Sequence, residues 1–227
     1  MPGAAYPIRF IRFDVESEKE TEELKRQRVL CGWQVEDVEL WRDQVRRGVR
    51  NLYWIFPSSL STAPPLPEDE YLPYGSKEYG PRPADPAFRP TGHVALDWED
   101  AKGEESLASK EKGVITLATF FILASQQGKG LGTAVMQEME TLAASPELGA
   151  RAITLNTLDG NFASDPAWWA RMGVTFSAEL RNNERWYERY EYTAYRRAVP
   201  RYPAKTVDGE DILLESVFMR KELASVA

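Results

Sequence analysis

"QGKGLG", from Gln127 to Gly132, stands between the apolar run "VITLATFFIL" at 114–123 and the regular "TAVMQEMETLAA" at 133–144. The first run has the branched and aromatic content of a buried strand. In the second, Leu131, Val135, Met139 and Leu142 fall on one helical face, and Pro146 closes the helix. "RAITLNTL" follows as another strand, so the order strand, helix, strand predicts a right-handed crossover between parallel strands. Alternating glycines at such a handover let backbone N–H groups approach an anion closely, which points to a phosphate. Two phosphate loops do not fit. A Walker loop needs G-x-x-x-x-G-K-[ST], and here Lys129 lies between glycines with no Ser or Thr in register. A dinucleotide fingerprint needs G-x-G-x-x-G after a first strand, and this stretch has a different spacing and lies past the middle of the chain.

Outward from the loop the chain reads as a mixed α/β protein. Ile8, Phe10, Ile11 and Phe13 form a short strand, and the charged "ESEKETEELKRQ" suits an exposed helix. Val38, Trp41 and Val45 place a second helix, with Gly48 as its stop, and "RNLYWIFP" reads as the next strand. From Pro57 to Pro90 the prolines are too dense for a helix or an interior strand, so a long loop is expected. Its Tyr71, Tyr74, Tyr79 and Phe88 would let it fold over a substrate cleft. "GHVALDWED" and "VITLATFFIL" are expected to form a hairpin across the polar "AKGEESLASKEKG". The tail supplies a helical "NNERWYERY" and two strands, "YEYTAYRRAV" and "EDILLESVFMRKEL", turned at Asp208-Gly209.

A chain of 227 residues that is 43% hydrophobic can bury one substantial core, and a single domain over 1–227 is expected. The net charge of -7 offers no basic field for nucleic acid or an anionic membrane, and favours a cationic substrate. One cysteine, Cys31, excludes an internal disulfide and a cysteine-rich zinc site; beside Leu30 and Trp33 it is expected to be a buried thiol. No metal is expected. Neither a signal-peptide run nor a membrane-length apolar segment is present, so a soluble, cytoplasmic protein is expected, as a monomer or homodimer.

The third phosphate pattern, Q/R-x-x-G-x-G/A, is met by Gln127, Gly130 and Gly132. On it the sequence resembles the GNAT superfamily of acyl-CoA-dependent N-acyltransferases, in which this loop holds the pyrophosphate of coenzyme A. The resemblance runs from about "YPIRF" to "VFMRKEL"; "RNLYWIF", "FFI", "ITLNT" and "WYERYEY" are most similar to a fungal branch. It implies a central sheet of about seven strands, mixed and largely antiparallel, with helices on both faces and a splayed strand pair that receives the coenzyme. The implied coenzyme-binding residues are Phe121, Ile122 and Leu123 along the pantetheine arm, and Gln127, Gly128, Lys129, Gly130, Leu131, Gly132 and Thr133 around the phosphates.

An amine must arrive neutral at a thioester and the departing thiolate needs a proton, so a base and an acid are expected. The family acid is often the tyrosine of Y-x-x-x-G-F. "WARMGV" keeps the glycine, Gly173, but has Trp169 in the tyrosine position. "YERYEY" keeps Tyr187 but has Glu191 and Tyr192 for Gly-Phe. Only two strands follow Tyr192, as the motif requires, and Tyr187 is chosen; the alternative is that it packs with Trp186 and Tyr190 as an aromatic wall. Asn156 would polarise the acetyl carbonyl or hold pantetheine, unless it is a plain sheet-edge amide. Asp97, Glu99 or water would be the base, and His93 is read as structural. The expected activity is transfer of an acetyl group from acetyl-CoA to a small primary amine. A protein lysine or N-terminal acetyltransferase, or a silent acyl-CoA-binding module, is the alternative.

Overall fold

The computed structural model describes residues 8–57, 88–176 and 182–224. Seven strands form one sheet: β1 (Ile8–Arg12), β2 (Arg50–Pro57), β3 (Gly92–Asp97), β4 (Val114–Ile122), β5 (Ala152–Leu158), β6 (Thr193–Lys205) and β7 (Asp211–Glu222). Their order is β1-β2-β3-β4-β5-β7-β6, and only β4 and β5 run parallel. The parallel pair flanks the helix that follows the glycine loop, as the crossover reading requires.

The period of two in β2 sorts its side chains between two cores. Tyr53 and Ile55 join a cluster with Val135, Met136 and Met139 of α3 (Leu131–Ala144). Leu52, Trp54 and Phe56 face the other way, toward Leu24 of α1 (Glu18–Cys31) and Val38 and Trp41 of α2 (Val38–Arg46). Helices thus cover both faces. Three shorter helices, α4 (Gly160–Ala163), α5 (Pro166–Arg171) and α6 (Asn183–Glu188), lie between β5 and β6.

Two expectations are corrected here. α1 is charged in sequence yet buries Thr21, Glu23, Leu24, Arg26, Gln27 and Arg28. Part of its inward face is polar and satisfied within the helix: Glu23 accepts two bonds from Arg26 at 2.7 Å and one from Gln27 at 2.9 Å. Cys31, expected to be buried, is only partly so. The proline-rich loop falls mostly at 58–87, outside the described residues.

β4 pairs with β5 over three residues only, Val114 with Ala152 to Thr116 with Thr154. Beyond that point β4 stays with β3 and β5 stays with β7, so the sheet opens. A bulge marks the opening. Thr119 and Phe120 lie opposite Val94 alone, and Thr119 holds φ +47°. An extra residue in one strand raises its twist and turns the strand end away from its neighbour. Thr119 Oγ1 is held there by Arg50 Nη2 at 2.7 Å.

Candidate active site

The loop after β4 is shaped by backbone. Leu123 N–H donates to Thr91 O at 2.9 Å, and Gln127 Nε2 reaches back to Ile122 O at 2.7 Å, so the Gln127 side chain braces the turn. Gly128 and Gly130 have φ of +76° and +86°, in the left-handed region that glycine alone enters without strain. Gly130 is also the N-cap of α3, and no side chain caps that helix. The first N–H groups of α3 therefore converge, with the positive end of the helix, on a cleft of about 600 Å³. Gly132 serves packing: a Cβ there would lie 3.3 Å from the Trp186 ring.

Ile122, Gln127, Gly128, Gly130, Gly132 and Thr133 line this cleft. Thr133 Oγ1 lies 2.5 Å from the Tyr190 hydroxyl. Leu131 is in the core, so only its backbone faces the turn, and the exposed Lys129 does not line the cleft. Phe121 turns toward His93, ring to ring at 5.6 Å, and Leu123 is buried. Arg185 of α6 and Arg189, which caps its C-terminus, also line this cleft. Sequence reasoning missed both arginines. Their signal was an i, i+4 spacing on a helix whose aromatic residues drew attention away.

A second cleft, of about 300 Å³, occupies the opening between β4 and β5. Asn183 lines both clefts. Tyr187, Asn156, Asp97 and Glu99, separate in sequence, all line the second one. Among the described residues the Tyr187 hydroxyl has no hydrogen-bond partner, and burial raises its pKa above the ordinary phenol range, Tyr202 adding to the shift. The ring also stacks edge-on with Trp186, with centroids 4.9 Å apart, and Trp186 does the same with Tyr190 at 5.0 Å. The aromatic wall and a cleft-lining phenol therefore coexist. Glu191, standing where the motif has glycine, takes φ +68°. That is the left-handed region, which glycine enters without strain.

Trp169 lies on α5, lines neither cleft, and donates its indole N–H to Ala163 O at 3.1 Å. The Tyr202 hydroxyl donates to Asn156 Oδ1, so the amide is oriented by a neighbour. Asp97 Oδ2 pairs with Arg50 Nη1 at 3.0 Å, while Asp97 Oδ1 is buried with no partner among the described residues. Burial pushes the Asp97 carboxyl up to about 6, against the pull of Arg50. Glu99 is half exposed and paired with Arg47 at 2.7 Å. His93 is fully buried: Nδ1–H donates to Gln27 at 2.8 Å, and Nε2 accepts from Arg28 at 3.4 Å. Burial holds it neutral, in a structural role. Among the described residues no group of three or more His, Cys, Asp or Glu converges as a metal would require.

The sheet is thus open between its two parallel strands, with a glycine-led, uncapped helix beside the gap. A model of the acetyltransferase (GNAT) family matches residues 47–174, more than half of the chain, and the chain belongs to that family. No curated protein sequence matches it. Among solved structures, it is similar to spermidine N-acetyltransferase from Vibrio cholerae in complex with CoA and spermine, at 9% identity and TM-score 0.55, covering 96% of each chain. It is similar to aminoglycoside 6'-N-acetyltransferase complexed with coenzyme A, at 13% identity and TM-score 0.52, over 95% of this chain and 97% of that one. It is also similar to RimL, the ribosomal L7/L12 alpha-N-protein acetyltransferase, at 9% identity and TM-score 0.53, over 96% and 94%. At such identities the likeness is one of fold.

Proposed function

We propose that the protein transfers an acetyl group from acetyl-CoA to the primary amine of a small molecule, by direct attack in a ternary complex. The observation that carries this reading is the junction of the two clefts at Asn183, with the uncapped α3 on one side and Tyr187, Asn156 and Asp97 on the other. The backbone from Gly128 to Thr133 would cradle the coenzyme pyrophosphate, and Arg185 and Arg189 add charge in the same cleft. The part of β4 beyond Thr116, which has no partner on the β5 side, would receive the pantetheine amides.

Asp97 Oδ1 accepts the proton of the incoming ammonium, directly or through water. The amine nitrogen then bonds to the thioester carbonyl carbon as the carbon–sulfur bond breaks. Tyr187 supplies the departing sulfur with its proton and regains one from the second proton that the amine nitrogen loses on becoming an amide, so the proton taken by Asp97 is the one released overall. Because Tyr202 holds Asn156 Oδ1, the Asn156 amide N–H is left to donate to the acetyl carbonyl. A half-open cleft of about 300 Å³ suits a small molecule better than a peptide. Spermidine and aminoglycosides, named for two of the structural neighbours, are small amines.

The test is an amine library with acetyl-CoA, monitored by free thiol. Small amines should release thiol in proportion to product. Release with peptides only would replace this reading with protein acetylation, as in the RimL neighbour. Coenzyme binding without release for any amine or peptide would make the chain a binding module.

A further inference from the structure

The acidic groups of the second cleft are already claimed, and one of its basic groups is not. Asp97 pairs with Arg50 at 3.0 Å, Asp100 with Arg201, and Glu99 with Arg47 at 2.7 Å. Arg28, only 3% exposed, makes no ion pair among the described residues. Its Nε donates to the carbonyl of Trp33 at 2.9 Å, its Nη1 to His93 at 3.4 Å, and its plane stands 5.3 Å from the centre of the Trp41 ring. All three partners are neutral. Glu36 and Asp37 act on it only through space, and the neighbouring Cys31 thiol is pushed up by burial, so it supplies no charge. An arginine cannot shed its proton at neutral pH, and a buried guanidinium with no anion is a large electrostatic liability. A ligand that brings an anion to Arg28 removes it.

We infer that the acceptor is an amine that also carries a carboxylate, an amino-acid-like molecule whose carboxylate is held by Arg28 while its amine points to Asp97. This rests on the acetyltransferase reading above. The groups are placed for it: Arg28, Trp41, Arg50 and Asp97 line one cleft, and both guanidinium groups lie over the Trp41 ring, at 5.3 and 4.4 Å. Trp33 and Tyr202, edge to face at 5.9 Å, offer an apolar wall for the body of the molecule. A polycation, by contrast, would have to compete with Arg50, Arg201 and Arg47 for every lining acid. The net charge of -7 favours a cationic substrate for the molecule as a whole, and the local field at Arg28 runs the other way.

The experiment compares matched pairs: common L-amino acids with their carboxamides, and ω-amino acids with the parent alkylamines. Thiol release and the ligand-induced melting shift of the coenzyme-loaded protein are both measured, for the natural chain, Arg28→Met and Arg28→Lys. The natural enzyme should favour the acid over its neutral twin by about 10- to 100-fold in kcat/KM, the usual worth of a hydrogen bond to a charged group. Arg28→Met should abolish that ratio and Arg28→Lys should restore part of it, with a normal coenzyme-induced melting shift reporting that each variant is folded. Should Arg28→Met not fold, the ratio in the natural chain and in Arg28→Lys decides. Neutral twins acetylated equally or better, or a ratio that survives Arg28→Met, would overturn the inference. If neither twin releases thiol while another amine or a peptide does, the inference is overturned; if no amine or peptide does, the acetyltransferase reading fails by itself. The melting shifts then decide separately: an acid-specific shift lost in Arg28→Met upholds carboxylate recognition, and its absence refutes it.

Discussion

In the proposed reaction Tyr187 and Asp97 would carry opposite duties because burial acts on both in the same direction. Removing water disfavours a phenolate, so Tyr187 keeps its proton well above neutral pH and has one to give. It also disfavours a carboxylate, and Asp97 moves from 3.8 to about 6, which leaves it ionised at neutrality yet basic enough to accept a proton. The sign of the stability effect follows. Between these two values the folded chain holds a proton that the unfolded chain releases, so the Asp97 contribution to stability falls as pH rises through about 6. Function gains over that same interval: acceptor-dependent turnover should rise with an apparent pKa near 6, and a flat profile from pH 5 to 8 with chemistry rate-limiting would remove Asp97 as the base. Tyr187→Phe keeps the edge-on packing against Trp186 and deletes only the hydroxyl. Turnover should fall by about 10²- to 10⁴-fold with little change in coenzyme affinity, whereas Trp169→Phe, outside both clefts, should leave the chemical step nearly intact. Full turnover in Tyr187→Phe would return that side chain to packing alone.

The loop and α3 act as one element, since the helix begins at the glycine that turns the chain. Gly130→Asp introduces a side chain at φ +86° and a negative charge at the positive end of α3. Nothing lies within 4 Å of a Cβ there, so the fold should survive, with about 1–2 kcal/mol of left-handed strain. Gly130→Ala, which carries the strain without the charge, should retain most of the affinity that Gly130→Asp loses. Equal coenzyme titrations for Gly130→Asp and the natural chain would reduce the glycines to turn formers. This element was legible in sequence because its periodicities and its glycines point to one structure. α1 was legible as a helix but its burial was not, since its inward face includes Glu23, Arg26 and Gln27, which look solvent-facing until their mutual bonds are seen. Arg28 was hidden for the same reason. The strand expected to end at Val199 runs on to Lys205 through Pro200 and Pro203, with three register shifts against β7. An edge strand tolerates the missing N–H donors that a central strand would not, and edge position follows from topology. Tyr187, Asn156 and Asp97 could be named singly, but the bulge at Thr119 that opens a cleft among them leaves no local pattern.

At the scale of the whole molecule, the sheet is held as a single ladder from β1 to β6 everywhere except the opening between β4 and β5. There, strand backbone faces a cleft where a sheet would otherwise continue, and native stability forgoes the ladder bonds that the gap leaves unmade. In the proposed reading a ligand with amide groups along its length would supply them, and its phosphates would supply the anion that the uncapped α3 lacks. Neither set of contacts exists in the unfolded chain, so the ligand binds the native state alone and must stabilise it by mass action. At a coenzyme concentration about 100 times its Kd the gain is about 2.7 kcal/mol. For a chain of this size each kcal/mol moves the transition by about 2–4 °C, so coenzyme A or acetyl-CoA should raise Tm by about 5–10 °C. Adenosine diphosphate, which keeps the pyrophosphate and lacks the pantetheine arm, should give a smaller shift, and Gly130→Asp should remove most of either. An unmoved transition at saturating coenzyme, with no heat of binding by calorimetry, would mean that the parted strands and the glycine loop serve some other ligand.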